Sequence, residues 1–194
     1  MNTASASEAR IPRIGWDVLP DHVREAAEDA LDAAVVRDVP QCGGFSPGLA
    51  SRLVLGDGRR VFAKAISADR NPRSPELYRR EIEVMRALPS SVPAPRLRWS
   101  YDDGEWVMLV LDDVDGVMPD LPWRPAQLGR VMTALETLAR QLSPSPVAAT
   151  PIVEDLGENF RSWAVIAADP VLAARLDGWE RESLARLVEW ESRW

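Results

Sequence analysis

The pattern of apolar positions divides the chain into a β-rich front half and a helical back half. In the front half, short runs of β-branched and other apolar residues flank Gly56-Asp57-Gly58 and Asp102-Asp103-Gly104, which is typical of β-hairpins. The runs predict strands over 53–55, 61–66, 97–101 and 106–111, preceded by a further strand that begins near residue 41.

Helices are indicated by apolar residues three and four positions apart. Asp21 and Asp169-Pro170 are predicted helix starts, because Asp caps a helix N-terminus and Pro fits the first turn. The predicted helices span 21–36, 76–88, 123–142, 154–167 and from 169 to the C-terminus. One helix thus lies between the two hairpins and others follow them, so we predict an α+β fold.

The composition excludes several classes of protein. Apolar residues make up 46% of the chain, and no run approaches the roughly 18–20 apolar residues of a membrane span. The first 20 residues form a polar tail without the pattern of a signal peptide, so we expect a cytoplasmic protein that binds no membrane. The net charge of −7 argues against a nucleic-acid partner, since phosphate backbones require clustered basic residues.

Catalysis by a histidine-dependent triad and a zinc site are also excluded, because His22 is the only histidine and Cys42 the only cysteine. Among the 23 basic residues, Lys64 is the only lysine. It lies on a strand that follows a glycine-rich turn, and it precedes a helix that carries Glu81. Glycine lets backbone N–H groups approach a phosphate, and a strand lysine held by a helix glutamate can then reach the same phosphate.

Three segments carry a resemblance to a known family: GGFSPGLASRLVLGDGRRVFAKA, YRREIEVMRALPSSVPAPRL and WVMLVLDDVDG. Together they resemble the N-terminal part of the aminoglycoside phosphotransferases and related small-molecule kinases, over about residues 41–116. The resemblance implies a protein-kinase-like N-lobe, an antiparallel sheet plus one helix, followed by the first helices of a truncated helical C-lobe. The corresponding segments are a tail over 1–20, the N-lobe over 21–111, a hinge over 112–122 and a partial C-lobe over 123–194.

The resemblance also implies an ATP site. Lys64 would contact the phosphates with Glu81 as its ion-pair partner, and Phe62, which shares a strand face with Lys64, would cover the base. The remaining site residues are Gly43, Gly44, Phe45 and Ser46 in the phosphate-facing turn, and Leu111, Asp112, Asp113 and Val114 in the hinge that contacts adenine. We expect weak binding, in about the 0.1–1 mM range.

The family's catalytic loop, a histidine followed by the catalytic aspartate and an asparagine, has no counterpart, since no His-x-Asp sequence occurs in the chain. The chain ends about where that loop would begin, so it is expected to be inactive as given. A small-molecule acceptor and Mg²⁺ are expected only in a full-length relative. The alternatives are a non-catalytic remnant that binds a nucleotide or a partner, and a compact α+β binding domain unrelated to kinases.

Each site residue also has an ordinary interpretation. Lys64 would then be a surface lysine on an edge strand, and Ser46 and Gly44 plain turn residues. Glu81 would pair with arginines on a solvated helix face, with Glu83 as the alternative partner of Lys64. The three hinge aspartates, Asp112, Asp113 and Asp115, are interpreted as a solvated acidic segment rather than a metal site.

The last predicted helix carries a long apolar stripe. Its members are Leu172, Leu176, Trp179, Leu187, Trp190 and Trp194, with Ser183 as the one polar residue. A stripe of this width needs a covering surface, so we expect self-association or a protein partner.

Overall fold

The computed structural model describes residues 13–41, 46–117, 119 and 121–193, and the chain divides into two compact units, Met1–Val147 and Ala148–Trp194. In the described residues of the first unit there are five strands and three α-helices. The strands are β1 (Val35–Pro40), β2 (Leu49–Leu55), β3 (Arg60–Ser67), β4 (Leu97–Asp102) and β5 (Trp106–Asp112). The helices are α1 (Asp21–Leu31), α2 (Ser74–Ala87) and α3 (Pro125–Gln141).

The five strands form one antiparallel sheet in the order β1-β2-β3-β5-β4. The helix α2 connects β3 to β4, between the two predicted hairpins. This arrangement is a protein-kinase-like N-lobe within an α+β chain, which confirms the predicted fold class. Because β3 is the central strand, Lys64 pairs with Ala50 on one side and Leu109 on the other.

Both predicted hairpins form, and a glycine makes each turn. Gly58 and Gly104 have φ angles of 87° and 91°, a left-handed conformation that a residue with a Cβ rarely adopts. Asp57 accepts a hydrogen bond from the Arg59 backbone N–H at 2.9 Å, which closes the first turn further. The turn residues therefore set the register of β2 against β3 and of β4 against β5.

The two faces of the sheet are covered by different helices. On one face, α1 and the segment before it form the larger cluster, in which Trp16, Val23 and Leu53 are buried. On the other face, α2 forms a smaller cluster in which Tyr78, Ile82 and neighbouring strand residues are buried. The strand β3 supplies both, since Val61, Ala63 and Ala65 face α1 whereas Phe62 and Ile66 face the α2 side.

The first helix is shorter than predicted. Instead of reaching residue 36, α1 ends at Leu31, and Asp32 follows in the left-handed conformation with a φ of 51°. The β-branched pair Val35–Val36 then belongs to β1, so the first strand begins at Val35 rather than near residue 41. The N-cap position is occupied by Pro20 and not by Asp21, which is the first residue of the helix.

The second unit is a set of short helices. They are α4 (Ile152–Leu156), a 3₁₀ turn (Gly157–Phe160), α5 (Ser162–Ala168), α6 (Pro170–Ala174) and α7 (Gly178–Glu191). The predicted cap is confirmed, since Asp169 accepts hydrogen bonds from the N–H groups of Val171 and Leu172 at 2.8 and 3.3 Å. The prediction of a single final helix is wrong, because α6 ends at Ala174 and a new helix begins at Gly178, which has a φ of 43°.

The break also divides the predicted apolar stripe. Leu187 and Ser183 are buried within α7, whereas Trp179 and Trp190 are 57% and 49% exposed. Trp194 lies outside the described residues. Over those residues, none of the helices combines the length and the apolar character that crossing a membrane requires.

Candidate functional site

An ion pair joins the central strand to the helix α2. The ammonium of Lys64 donates a hydrogen bond to Oε2 of Glu81, and the two side chains are 23% and 32% exposed. The helix reaches this position because Ile82, next to Glu81, packs into the smaller cluster on the same face of the sheet. A cation and a carboxylate in partial contact with solvent are thus fixed at the centre of the sheet.

Tyr78 links this ion pair to the segment that follows the glycine-rich turn. Its ring lies under Lys64, with Nζ 4.7 Å from the ring centroid, and its hydroxyl donates to Oγ of Ser46 at 3.2 Å. Ser46 Oγ also accepts a hydrogen bond from the Gly48 backbone N–H at 3.4 Å. The sequence analysis missed Tyr78, although its position three residues before Glu81 places both on one helix face.

Gly48 is held against β3 at a distance that no other residue permits. A Cβ built on Gly48 would lie 2.2 Å from the carbonyl oxygen of Ala65 and 2.9 Å from Cδ1 of Ile66. The close approach brings the exit of the glycine-rich turn onto the strand that carries Lys64. Gly43, Gly44 and Phe45, the other predicted turn residues, lie outside the described residues.

Phe62 lies on the same face of β3 as Lys64. It pairs with Arg52 on β2 and with Leu111 on β5, and it packs against the smaller cluster while remaining partly exposed. The predicted shared face of Phe62, Lys64 and Ile66 is therefore present. Lys64 and Phe62, which are both partly exposed, line a surface that runs from the ion pair towards the end of β5.

The segment after β5 is fixed by arginines. The carboxylate of Asp113 is only 3% exposed, and its Oδ1 lies 2.9 Å from Nε of Arg52. Its Oδ2 lies 3.2 Å from Nε of Arg60, an ion-pair distance without the alignment of a hydrogen bond. Arg52 also donates to the Val114 carbonyl at 2.8 Å, so one hinge acceptor is already occupied.

Asp112 is held by groups on the neighbouring strand β4 and on the residue before it. Its carboxylate accepts hydrogen bonds from the Arg96 backbone N–H, at 3.0 Å, and from the Arg98 guanidinium. Partial burial raises the pKa of Asp112, but these hydrogen bonds and the two arginine charges outweigh it, so the pKa is lowered from its ordinary value. The interpretation of the hinge as a solvated acidic segment is wrong for Asp112 and Asp113, which pair with arginines, whereas Asp115 is exposed.

The ordinary interpretations of the ion pair also fail. Lys64 lies on the central strand and not at an edge of the sheet. Glu83, the alternative partner of Lys64, instead pairs with Arg80 at 2.9 Å, one helical turn away. The assignment of Lys64 and Glu81 to nucleotide binding stays a prediction.

Two cavities lie away from this surface. One, of about 500 Å³, is lined by residues of α2 and β4 such as Arg86 and Arg98, and the other, of about 310 Å³, lies within the second unit beside Phe160. Neither is lined by Lys64 or Phe62. Nowhere in the described ranges do three or more His, Cys, Asp or Glu residues form a group that could hold a metal ion.

No protein-family model and no curated protein matches the chain. Among solved structures, the chain is similar to Rad53 1–466 in complex with AMP-PNP, with 19% identity and a TM-score of 0.32. The match covers 71% of this chain and 30% of that one, so the chain spans under a third of that structure's length. A likeness at this identity concerns the fold alone, and the N-lobe topology stands on the strand order and the inserted helix described above.

Proposed function

We propose that this chain carries the nucleotide lobe of an ATP-dependent small-molecule phosphotransferase and binds ATP on the face of the sheet that holds Lys64. The observation that carries the proposal is the ion pair between Lys64 and Glu81 on the central strand and the inserted helix. A strand lysine fixed in this way presents its remaining donors to the phosphates of a nucleotide. It is also the only lysine of a chain that otherwise uses arginine for positive charge.

The neighbouring residues support the same arrangement of ATP. The ring of Phe62 would cover the purine, and the hinge from Leu111 to Val114 would contact its edge through backbone groups. The hydroxyl of Ser46, next to the glycine-rich turn, would donate a hydrogen bond to a phosphate oxygen. Because Arg52 already occupies the Val114 carbonyl, the base would rely on the other backbone groups of the hinge.

We further propose that the acceptor in a full-length relative is a small molecule with a hydroxyl group, of the aminoglycoside-like type. The 194-residue chain itself is proposed to bind ATP without transferring phosphate, because its sequence contains no His-x-Asp motif to supply the catalytic base. Among the described residues, no group of three or more His, Cys, Asp or Glu side chains could hold a metal ion without the nucleotide. No step through Mg²⁺ is therefore assigned to them.

The lone lysine permits a direct test. An acyl phosphate of ATP places an acylating group next to the phosphates and transfers it to a nearby amine. Peptide mapping after a short incubation should find the label on Lys64 and not on the N-terminal amine, and excess ATP should prevent the labelling. Labelling of both amines to the same extent, with no protection by ATP, would contradict the proposal.

A matched variant separates the site from general loss of structure. Arg79 lies on the same helix as Glu81 and forms an ion pair with Asp102 at 2.7 Å. We expect Lys64→Ala to abolish ATP binding in an NMR titration, whereas Arg79→Ala, which removes a cation from the same helix, should bind ATP as the unmodified chain does. Equal binding by all three proteins would show that Lys64 contacts no phosphate.

A second function, binding of a protein partner without catalysis, is favoured by one observation. Trp179 and Trp190 in α7 expose about half of their surface, although burial of large aromatic side chains stabilises a fold or an interface. We propose that this surface self-associates or binds a partner, and light scattering tests it as described in the Discussion. The two functions are independent, because the tryptophans and the ion pair belong to different units of the chain.

A further inference from the structure

Tyr78 contacts two proposed phosphate-binding groups at once, and it has no part in the function proposed so far. Its side chain is 5% exposed, and it lies on α2 one turn before Glu81. The face of its ring is 4.7 Å from Nζ of Lys64, and its hydroxyl is 3.2 Å from Oγ of Ser46. A single side chain therefore connects the central strand, the inserted helix and the exit of the glycine-rich turn.

We propose that Tyr78 is a positioning residue that couples Lys64 to Ser46, so that the two groups engage the phosphates of a nucleotide as one unit. This inference rests on the proposed function, since it assumes that Lys64 and Ser46 face the phosphates. It adds a residue and a mechanism of coupling that the proposed function does not contain.

Two partners define the position of the ammonium. Glu81 accepts one of the three hydrogen bonds that Lys64 can donate, and the aromatic face of Tyr78 attracts the charge from a second direction. A lysine side chain is otherwise flexible at every bond of its stem. Contact with both a carboxylate and a ring leaves the remaining donors pointing to a narrow range of directions, which favours a fixed phosphate position.

The hydroxyl of Ser46 is oriented in the same way. Its oxygen accepts from the Tyr78 hydroxyl and from the Gly48 N–H at 3.4 Å, so both acceptor positions are used. The proton of the serine hydroxyl is then left for an acceptor outside this network, such as a phosphate oxygen. Hydrogen bonds in such a chain polarise one another, so the donor strength of Ser46 depends on Tyr78.

Core packing alone does not explain a tyrosine at this position. The ring belongs to the cluster that contains Ile82 and Leu109, where a phenylalanine would fill the same volume. A buried phenol needs a hydrogen-bond partner, and here the partner lies in the segment after the glycine-rich turn rather than on a neighbouring strand. Tyr78→Phe separates the two roles because it retains the ring under Lys64 and removes only the hydroxyl.

The experiment compares ATP with adenosine. NMR titrations of the full chain would measure both ligands against the unmodified protein, Tyr78→Phe, Ser46→Ala and the double variant. Loss of one hydrogen bond predicts that Tyr78→Phe lowers ATP affinity about three- to tenfold. Adenosine affinity should not change, because adenosine has no phosphate. The double variant should bind ATP no more weakly than Ser46→Ala alone, since the hydroxyl of Tyr78 acts through Ser46.

Tyr101→Phe is the matched control. The Tyr101 hydroxyl donates to Asp103 at 3.0 Å, and its ring packs on the opposite face of the sheet, so the same atom is removed away from the site. Unchanged ATP affinity in Tyr78→Phe, or losses from Tyr78→Phe and Ser46→Ala that simply add, would overturn the coupling while leaving the proposed function intact. Absence of ATP binding by the unmodified chain would instead refute the proposed function, and the coupling with it.

Discussion

The carboxylate of Asp113 lies 2.9 Å from Nε of Arg52, and only 3% of the aspartate side chain is exposed. A second guanidinium, that of Arg60, lies 3.2 Å from its other oxygen. The pair of arginines comes from β2 and β3, so the carboxylate fixes the start of the hinge to two neighbouring strands. Removal of the buried carboxylate would leave the two guanidinium groups partly desolvated and without their opposite charge, which destabilises the folded state.

We therefore predict that Asp113→Ala destabilises the protein by about 1–3 kcal/mol, less than for a fully buried pair because both arginines reach solvent. Asp115→Ala is the matched control, since Asp115 is exposed in the same segment, and it should change the free energy of unfolding by less than about 0.5 kcal/mol. Urea unfolding measures both. Equal stability of the two variants would show that the arginines do not depend on Asp113.

Gly48→Ala should be strongly destabilising. The new methyl group would lie 2.2 Å from the Ala65 carbonyl oxygen, so the turn or the central strand must move. We expect a loss of more than about 2 kcal/mol, together with weaker ATP binding, because the segment after the turn can no longer lie on β3. A thermal unfolding midpoint within 2 °C or so of the unmodified chain would contradict this prediction.

Gly129→Ala offers the opposite expectation for the same chemical change. Gly129 lies inside α3, and a Cβ at this position would meet nothing within 4 Å. Alanine is favoured over glycine in a helix by about 0.8–1.0 kcal/mol, so this variant should be slightly more stable. Opposite signs for the two glycines in the same thermal measurement would establish that the close approach at Gly48 matters, and not the loss of glycine itself.

The link between α2 and the β4–β5 hairpin should depend on pH. The Arg79 guanidinium hydrogen-bonds Asp102 at 2.7 and 3.0 Å and holds the pKa of Asp102 below its ordinary value of 3.8. Because the folded-state pKa is lower than the unfolded one, the stabilisation is complete above pH 3.8 and is lost as the pH falls through the folded-state value. Since both side chains are partly exposed, its size at pH 7 is about 0.2–1 kcal/mol.

Asp102→Asn should therefore lower the free energy of unfolding at pH 7, and the difference from the unmodified chain should shrink towards pH 3. The same series in an Arg79→Ala background should show a much smaller pH dependence, because the guanidinium that lowers the pKa is gone. Urea titrations between pH 3 and 7 provide the measurement. A difference that stays constant over this range would assign the stabilisation to the carboxylate's shape rather than its charge.

Phosphate transfer by the chain is predicted to be absent. No His-x-Asp sequence supplies a catalytic base, so incubation with ATP, Mg²⁺ and a panel of aminoglycosides should produce no ADP above background. Turnover that rises in proportion to protein concentration and disappears in Lys64→Ala would refute this prediction. The same result would leave the ATP-binding proposal in place.

The exposed tryptophans of α7 predict association. Trp179→Gln with Trp190→Gln should lower the molar mass that light scattering measures at high concentration, because burial of these side chains drives contact. Phe160→Gln is the comparison, because Phe160 is an aromatic residue of the same unit that is 44% exposed and lies outside α7. A concentration-independent monomer for the unmodified chain would show that the tryptophans need no cover.

The sequence predicted the elements around the site well because their signals are local. Glycines at 58 and 104 mark hairpin turns, and the lone Lys64 lies on a strand with clear β propensity. The end of α1 was missed because Ala33 and Ala34 continue a helical composition, whereas the left-handed Asp32 terminates the helix. The left-handed backbone conformation of Asp32 cannot be predicted from the composition of the segment.

The contacts that sequence analysis missed are long-range. Asp113 was interpreted as solvated because it stands among aspartates, and its two arginines are 61 and 53 positions away along the chain. The sequence places Tyr78 on the same helix face as Glu81, but it does not show the contact with Ser46, which is 32 positions distant. Such pairs form only once the strand order is fixed, and the residue pattern within a single strand or helix does not show which strands will be neighbours.

The unequal covering of the sheet has a consequence for how such a chain can change. The larger cluster, between the sheet and α1, supplies most of the buried apolar surface, whereas the candidate site depends on the smaller cluster beneath α2. Substitutions on the α2 side therefore leave the larger share of the apolar burial, which lies on the opposite face of the sheet, unchanged.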